Sequence, residues 1–308
     1  MLAALAGNLA IATAKLAAYV FTGSSAILTE AIHSLVDTGD QGLLLLGMRR
    51  AGRPPDAGHP FGHGMEAYFW SFVVALMIFA LGGAASVWQG LHKLAAPAPI
   101  ERPWINLVVI GLAMLAEGSS FVVALRALNR IRADTPLLRS IRRSKDPNIF
   151  SVILEDGAAL VGLVVALAGV SASAFLGLGW ADGAASIAIG LLLVLVAAFL
   201  ANETRSLLTG EAAAPRVVAR IRAVLESDRR VAAIPEVLTV HLGPQEILVG
   251  LTLHLQDRLS RQELETALDE LIGRIRATDP RITRVFMRPT AGGETDPPLA
   301  RRPQAMAK

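Results

Sequence analysis

The sequence predicts an all-α transmembrane domain of six helices followed by a small α+β domain. Three observations lead there. The chain has 308 residues, of which 53% are hydrophobic, and its mean hydropathy of +0.49 is too high for an ordinary soluble protein. Its apolar runs are each close to the ~20 residues that cross a bilayer as a helix. These runs fill the first two-thirds of the chain, and after Asn202 the pattern changes to charges at helix and strand spacing.

The six runs are Leu2–Phe21, Ala26–Met48, Tyr68–Leu91, Trp104–Leu128, Ile149–Leu178 and Ala181–Ala201. The first lacks a basic leader and holds Asn8 and Lys15, so it reads as a span rather than a cleavable signal peptide. Lys15 is expected to snorkel toward the interface. Trp70, Trp88, Trp104 and Trp180 lie near span ends, as interfacial anchors do. Asp182 is placed to cap the sixth span. The membrane domain covers 1–205, the polar domain 206–289 and the tail 290–308.

In the polar domain Pro215 suits the first turn of a helix running to Leu225. Glu236–Leu242 and Ile247–Leu255 alternate apolar and polar around Gly243-Pro244-Gln245, the pattern of a hairpin. Ser260 is a candidate N-cap for an amphipathic helix to Ile275, and Ile282–Met287 reads as a third strand. The order is αββαβ, that of a two-layer sheet-and-helix domain. The Pro-, Ala- and Arg-rich tail is expected to be disordered.

Composition and charge narrow the class. The absence of cysteine excludes disulfides and thiolate metal ligands. Arg49, Arg50 and Arg53 follow the second span, and seven cations from Arg126 to Lys145 crowd the connection between the fourth and fifth. The opposite connections carry few. The positive-inside rule then puts both termini in the cytoplasm. Two flanking spans make the Arg cluster a topology signal rather than a nucleic-acid site. No Gly-rich phosphate loop and no H-E-x-x-H pair occurs, so neither ATP drive nor an intramembrane metallohydrolase is indicated.

The chemistry concentrates in the second span, which carries Glu30, His33, Asp37 and Asp40. At helical pitch these residues and Gln41 fall within about a 100° arc. Charges inside a membrane span are rare and usually mark an ion path. His33 and Asp37, four apart, sit one above the other within reach of a single cation. On the fifth span Asn148, Ser151 and Glu155 share a face, with Asp156 about 100° round from Glu155. Glu155 is preferred over Asp156 because its face is the polar one. His33, Asp37 and Glu155 supply one nitrogen and several oxygens, enough for a four-coordinate divalent ion with help from Asp156, Ser151 or water. In the loop after the second span, Asp56, His59 and His63 can close on a zinc-like ion. Glu117, Ser119 and Ser120 lie in the fourth span, with Glu117 a candidate for a proton path. His241 and His254 lie on predicted strands, where a lone histidine is usually structural.

The segments GSSAILTEAIHSLVDTGDQGLLLLG, HPFGHGMEAYFW, LEDGAAL and DGAASIAIGLLL resemble the cation diffusion facilitators, the zinc-transporter family. The resemblance covers nearly the whole chain. It implies a homodimeric, proton-coupled antiporter, not an enzyme, that exports a divalent metal from the cytoplasm without an organic cofactor. His33 and Asp37 match the second-span half of the family's transport site. The fifth-span half, commonly His and Asp, departs: Glu155 or Asp156 takes the carboxylate role, and Ser151 or Val152 stands where histidine is expected. This oxygen-rich set leaves Zn2+ as the first expectation and admits Mn2+ and Fe2+. Asp56, His59 and His63 match the family's auxiliary site. The tail-side domain resembles its ferredoxin- or metallochaperone-like dimerisation module, with His254, Phe286 and Arg288 at the positions of its metal ligands. The protein is therefore expected in an inner or plasma membrane, with protons, divalent metal, lipid and a second copy as partners and no nucleic acid. The alternative is a membrane metal sensor or scaffold that binds ions without moving them.

Overall fold

The computed structural model describes residues 2–96, 103–131, 147–256 and 259–290. Thr290, the first residue of the expected disordered tail, instead ends the last strand; the rest of the tail and most of the Arg-rich connection lie outside the described residues. The chain divides into two compact units, residues 1–208 and 209–308.

In the first unit the described helices are α1 (Leu2–Thr22), α2 (Ser25–Ala51), α3 (Glu66–Ala95), α4 (Pro103–Ile131), α5 (Pro147–Phe175) and α6 (Ala181–Leu208). Four helices, α3 to α6, are long and apolar enough to cross a membrane. The ionisable residues of α2 keep it outside that group. α2 packs on α1, α3, α5 and α6, while α4 packs on α1 and α5. The buried apolar core runs through these contacts, from Ile27 and Val36 to Leu163, Ile189 and Leu200. Exposed Leu, Val and Phe side chains on the outer faces, such as Leu115, Val123 and Leu195, suit a hydrocarbon surround.

The α1–α2 turn is held by polar contacts. Gly23 takes φ 66°, which favours glycine. Ser24 caps α2, accepting from the Ile27 N–H at 3.3 Å while its hydroxyl donates to Asp182 Oδ1 at 2.6 Å. Lys93 Nζ donates to the Gly23 carbonyl at 3.0 Å. Asp182, read from the sequence as a cap of its own helix, therefore reaches across to α2.

α3 is regular from Glu66 to Met77, widens into a π-helical stretch over Ile78–Ala84, and is regular again to Ala95. Glycine lets α3 and α6 meet backbone to backbone. A Cβ on Gly90 would stand 2.6 Å from the Gly183 carbonyl oxygen, and one on Gly190 would stand 2.9 Å from the Gly83 carbonyl. Of the four tryptophans, Trp88, Trp104 and Trp180 are exposed. Trp70 instead packs where Gly47 leaves room, under the Arg50 guanidinium, and donates to Glu66 at 2.8 Å.

The second unit contains α7 (Pro215–Glu226), β1 (Val231–Gly243), β2 (Glu246–Leu255), α8 (Arg261–Thr278) and β3 (Ile282–Thr290). The sheet order is β1-β2-β3, with β1 and β2 antiparallel and β2 and β3 parallel. Alternate residues of β2, from Ile247 to Leu255, are buried with Val217, Ile221 and Leu225 of α7 and Leu271 and Ile275 of α8. Ser260 caps α8 in a capping box with Glu263. The sequence starts β1 at Glu236, after Pro235, but the strand begins at Val231. A proline cannot donate to a ladder, and this one is tolerated because β1 is an edge strand with a register shift at that point. At the end of α7, Arg230 grips Asp228 through two nitrogens and Arg274 of α8 adds a third bond at 2.9 Å. The guanidinium of Arg230 holds the Asp228 carboxyl down at about 2.

The α3–α6 contact yields a test. Gly90→Ala should lower the thermal midpoint of detergent-solubilised protein, because overpacking costs ~1–3 kcal/mol. Gly111→Ala, where nothing lies within 4 Å, should hold or raise it through the ~0.5–1 kcal/mol helix preference for alanine. Circular-dichroism melts that rank the two variants equally would refute the close packing.

Candidate metal centre

The ionisable residues of the α2 stripe are all buried, while Gln41 is half-buried. Glu30 and Asp40 are 0% exposed, His33 1% and Asp37 7%, and across from them on α5 Ser151, Glu155 and Asp156 are also buried. Buried polar atoms almost always have a partner, and each one left without costs about 1–3 kcal/mol. Here both ring nitrogens of His33, Asp37 Oδ1, both oxygens of Asp40, Ser151 Oγ and Glu155 Oε1 are buried without a hydrogen-bond partner. His33 Nδ1 and Asp37 Oδ1 approach to 3.5 Å without hydrogen-bond geometry. Atoms of this kind, on two packed helices, are lone-pair donors facing an apolar interior.

The two fifth-span carboxylates differ in their partners. Asp156 accepts a hydrogen bond from Ser120 Oγ of α4 at 2.8 Å. Glu155 has an oxygen with no such bond, and the charges of Asp40, Asp37 and Asp156 all bear on it. Asn148 was expected on the same face; its side chain lies outside the described residues. No three of His33, Asp37, Glu155 and Asp156, however, bring ligand atoms within 4.8 Å of one another. Among the described residues, Asp56, His59 and His63 form the one group of three or more His or carboxylate residues whose ligand atoms lie within 4.8 Å of one another.

That loop group is built by local bonds. Asp56 Oδ1 accepts from the backbone N–H of Gly58 at 2.9 Å and of His59 at 2.7 Å, and Oδ2 meets His63 Nε2 at 3.0 Å. His59 Nδ1 stands 3.4 Å from Asp56 Oδ1, and the two imidazoles lie 4.2 Å apart. The His63 bond, then the backbone bonds, hold the Asp56 carboxyl down at about 2. Asp56 and His59 face solvent while most of His63 is covered.

Three features escaped the sequence. Lys15 does not snorkel: it is 1% exposed and its Nζ lies 3.2 Å from Glu30 Oε2 and 2.7 Å from Ser34 Oγ. The spacing of Glu117 and Ser120, one turn apart on α4, was the available signal that this helix also faces the site. The full burial of Asp40 had none beyond its place on the stripe. In the second unit His241 is buried, and His254 Nδ1 meets Thr290 Oγ1 at 3.3 Å.

Comparison with known proteins bears on both units. The family model of the cation efflux transmembrane domain matches residues 1–209. The chain is 32% identical over 266 residues to the proton-coupled zinc antiporter SLC30A9, mitochondrial, of Xenopus laevis, covering 83% of this chain and 47% of that protein. It is 33% identical over 239 residues to metal tolerance protein C4 of Arabidopsis thaliana, covering 77% and 52% respectively. It is 24% identical over 276 residues to the cation-efflux pump FieF of Shewanella oneidensis, covering 89% and 88%. The chain thus spans about half the length of the first two relatives. The match over the whole first unit, and two relatives above 30% identity, establish that the chain is a multi-pass membrane protein of the cation diffusion facilitator family.

Proposed function

We propose that this protein is a proton-coupled efflux transporter for a divalent cation, working by alternating access as a homodimer. The observation that carries the reading is the set of buried, unpartnered lone-pair donors on α2 and α5: His33, Asp37, Ser151 and Glu155. A divalent cation satisfies several such atoms at once, and a proton satisfies one. The two therefore compete for the same groups, which is the elementary requirement for exchange. His33, Asp37 and Glu155 are the transport ligands, with Ser151, Asp156 or water completing a four-coordinate shell. Zn2+ is the proposed cargo, since relatives are named for zinc, and the oxygen-rich shell admits Mn2+ and Fe2+.

In this reading α1 and α2 also span the bilayer, giving six spans, and their charged stripe faces inward where lipid never meets it. The Arg-rich connections and both termini lie on the cytoplasmic side of an inner or plasma membrane. The αββαβ unit, residues 206–289, serves as the cytoplasmic dimerisation domain, and Asp56, His59 and His63 form an auxiliary cation site. A second reading, a sensor or scaffold that binds cations without moving them, is favoured by the altered fifth-span pair, where Ser151 or Val152 stands in place of histidine. Flux decides between the two.

Asp37→Ala should abolish Zn2+-driven proton movement in proteoliposomes while the protein still elutes as a folded species. Normal flux in that variant would remove His33 and Asp37 from the transport path. In equilibrium Zn2+ competition, Glu155→Ala should weaken binding by more than about tenfold and Asp156→Ala by less, since loss of an outer partner costs on the order of 10–100-fold only when it orients a ligand. If Asp156→Ala alone loses binding, the assignment on α5 moves by one residue.

The loop gives a pH prediction. A carboxyl depressed to about 2 contributes its ordering fully above the ordinary carboxylate value of about 3.9 and loses it as pH falls through about 2. His63→Ala removes the largest cause, so the Asp56 titration followed by carboxyl NMR should rise toward 3.9. An unchanged midpoint would show that the backbone bonds alone hold it.

A further inference from the structure

Among the described residues Lys15 is the only buried lysine or arginine. It sits in the membrane unit with seven buried carboxylates: Asp182, bonded to Ser24 at the α1–α2 turn, and Glu30, Asp37, Asp40, Glu117, Glu155 and Asp156 on α2, α4 and α5. A lone ammonium in such a place is costly, and a partner of opposite charge is what makes it tolerable. Glu30 is that partner, at 3.2 Å, and the Ser34 hydroxyl accepts a second bond from the ammonium at 2.7 Å. Glu30 precedes His33 by one turn of α2 and Ser34 follows it directly, so the ion pair adjoins the transport ligands.

The pair is also held from a third helix. Glu30 Oε1 lies against Gly162 of α5, where any Cβ would stand 2.6 Å from it. The Glu30 carboxylate thus lies between α1 and α5, with Oε2 on the ammonium and Oε1 against Gly162, buried and without a hydrogen-bond partner. The charge of Lys15 bears on His33, Asp37 and Glu117.

We propose that Lys15 is a resident counter-cation of the transport site, a specificity-determining residue that withholds Glu30 from the cargo and sets how tightly the remaining carboxylates hold a divalent ion. It is not a ligand and moves with no ion. Six carboxylates without an internal cation would hold a divalent ion too strongly to release it. One fixed positive charge, delivered by α1, lowers the attraction without occupying the site. The same charge disfavours a second cation.

This inference rests on His33 and Asp37 being transport ligands, and its test separates the two. Equilibrium Zn2+ affinity and initial flux rate are measured on the purified full chain, in detergent and in proteoliposomes. Lys15→Met should bind Zn2+ at least about tenfold more tightly than wild type while its maximal flux falls, since a nearby unit charge acting on a divalent ion exceeds the tenfold threshold even at an effective dielectric of about 20. Glu30→Gln, which leaves the ammonium unbalanced, should bind about tenfold more weakly. The double variant Lys15→Met/Glu30→Gln should return to within about threefold of wild type. Lys15→Gln keeps a hydrogen-bonding group toward Glu30 and Ser34 and serves if the methionine variant does not fold; it should tighten binding in the same direction. A merely structural ion pair would instead give the two single variants affinity losses of the same sign, or none, and either result overturns the proposal. Asp37→Ala is the control on the underlying reading: if it binds Zn2+ normally, the site assignment fails whatever the Lys15 variants do.

Discussion

A carboxylate inside an apolar helix bundle must meet a cation, a proton or a hydrogen-bond donor, and the packing of α2 follows from how each of its acids meets that demand. Glu30 meets an ammonium from α1. Asp37 lies beside an imidazole on its own helix. Asp40 has neither within hydrogen-bonding distance, and Glu155 on α5 has one oxygen in the same position. The helices that touch α2 are therefore also the helices that bring charge or lone pairs to it. Desolvation makes each unmatched group costly.

The loop site obeys the opposite economy. Asp56 and His59 are exposed, and the cluster is closed by short-range bonds within eight residues rather than by helix packing. Water can stand in for any ligand there at little cost, whereas the unpartnered donors of α2 and α5 are buried and bear the full desolvation cost.

Much of this was legible in the residues because it is periodic or chemically narrow. The stripe of α2, the Ser260 cap and the Pro244-Gln245 turn each follow from spacing and residue type alone. What stayed hidden depends on which faces meet. Lys15 reads as an interfacial lysine until α1 is laid against α2, and the difference between Glu155 and Asp156 appears only when Ser120 of α4 arrives beside one of them. The early start of β1 was hidden for a similar reason: Pro235 argues against a strand unless the strand is known to lie at an edge. Burial in the apolar spans gives weak periodicity, since lipid and protein neighbours are both greasy.

The glycine contacts between α3 and α6 bear on movement. Where two helices touch through backbone atoms, at Gly83, Gly90, Gly183 and Gly190, sliding one past the other by even a fraction of a turn would drive a Val or Ile side chain into a peptide group. Such a pair behaves as a single strut. On the proposed alternating-access reading, rocking is carried by the remaining helices turning against that strut. The proposed ligands come from α2 and α5, which belong to that turning part, and the glycine seam is its fixed edge.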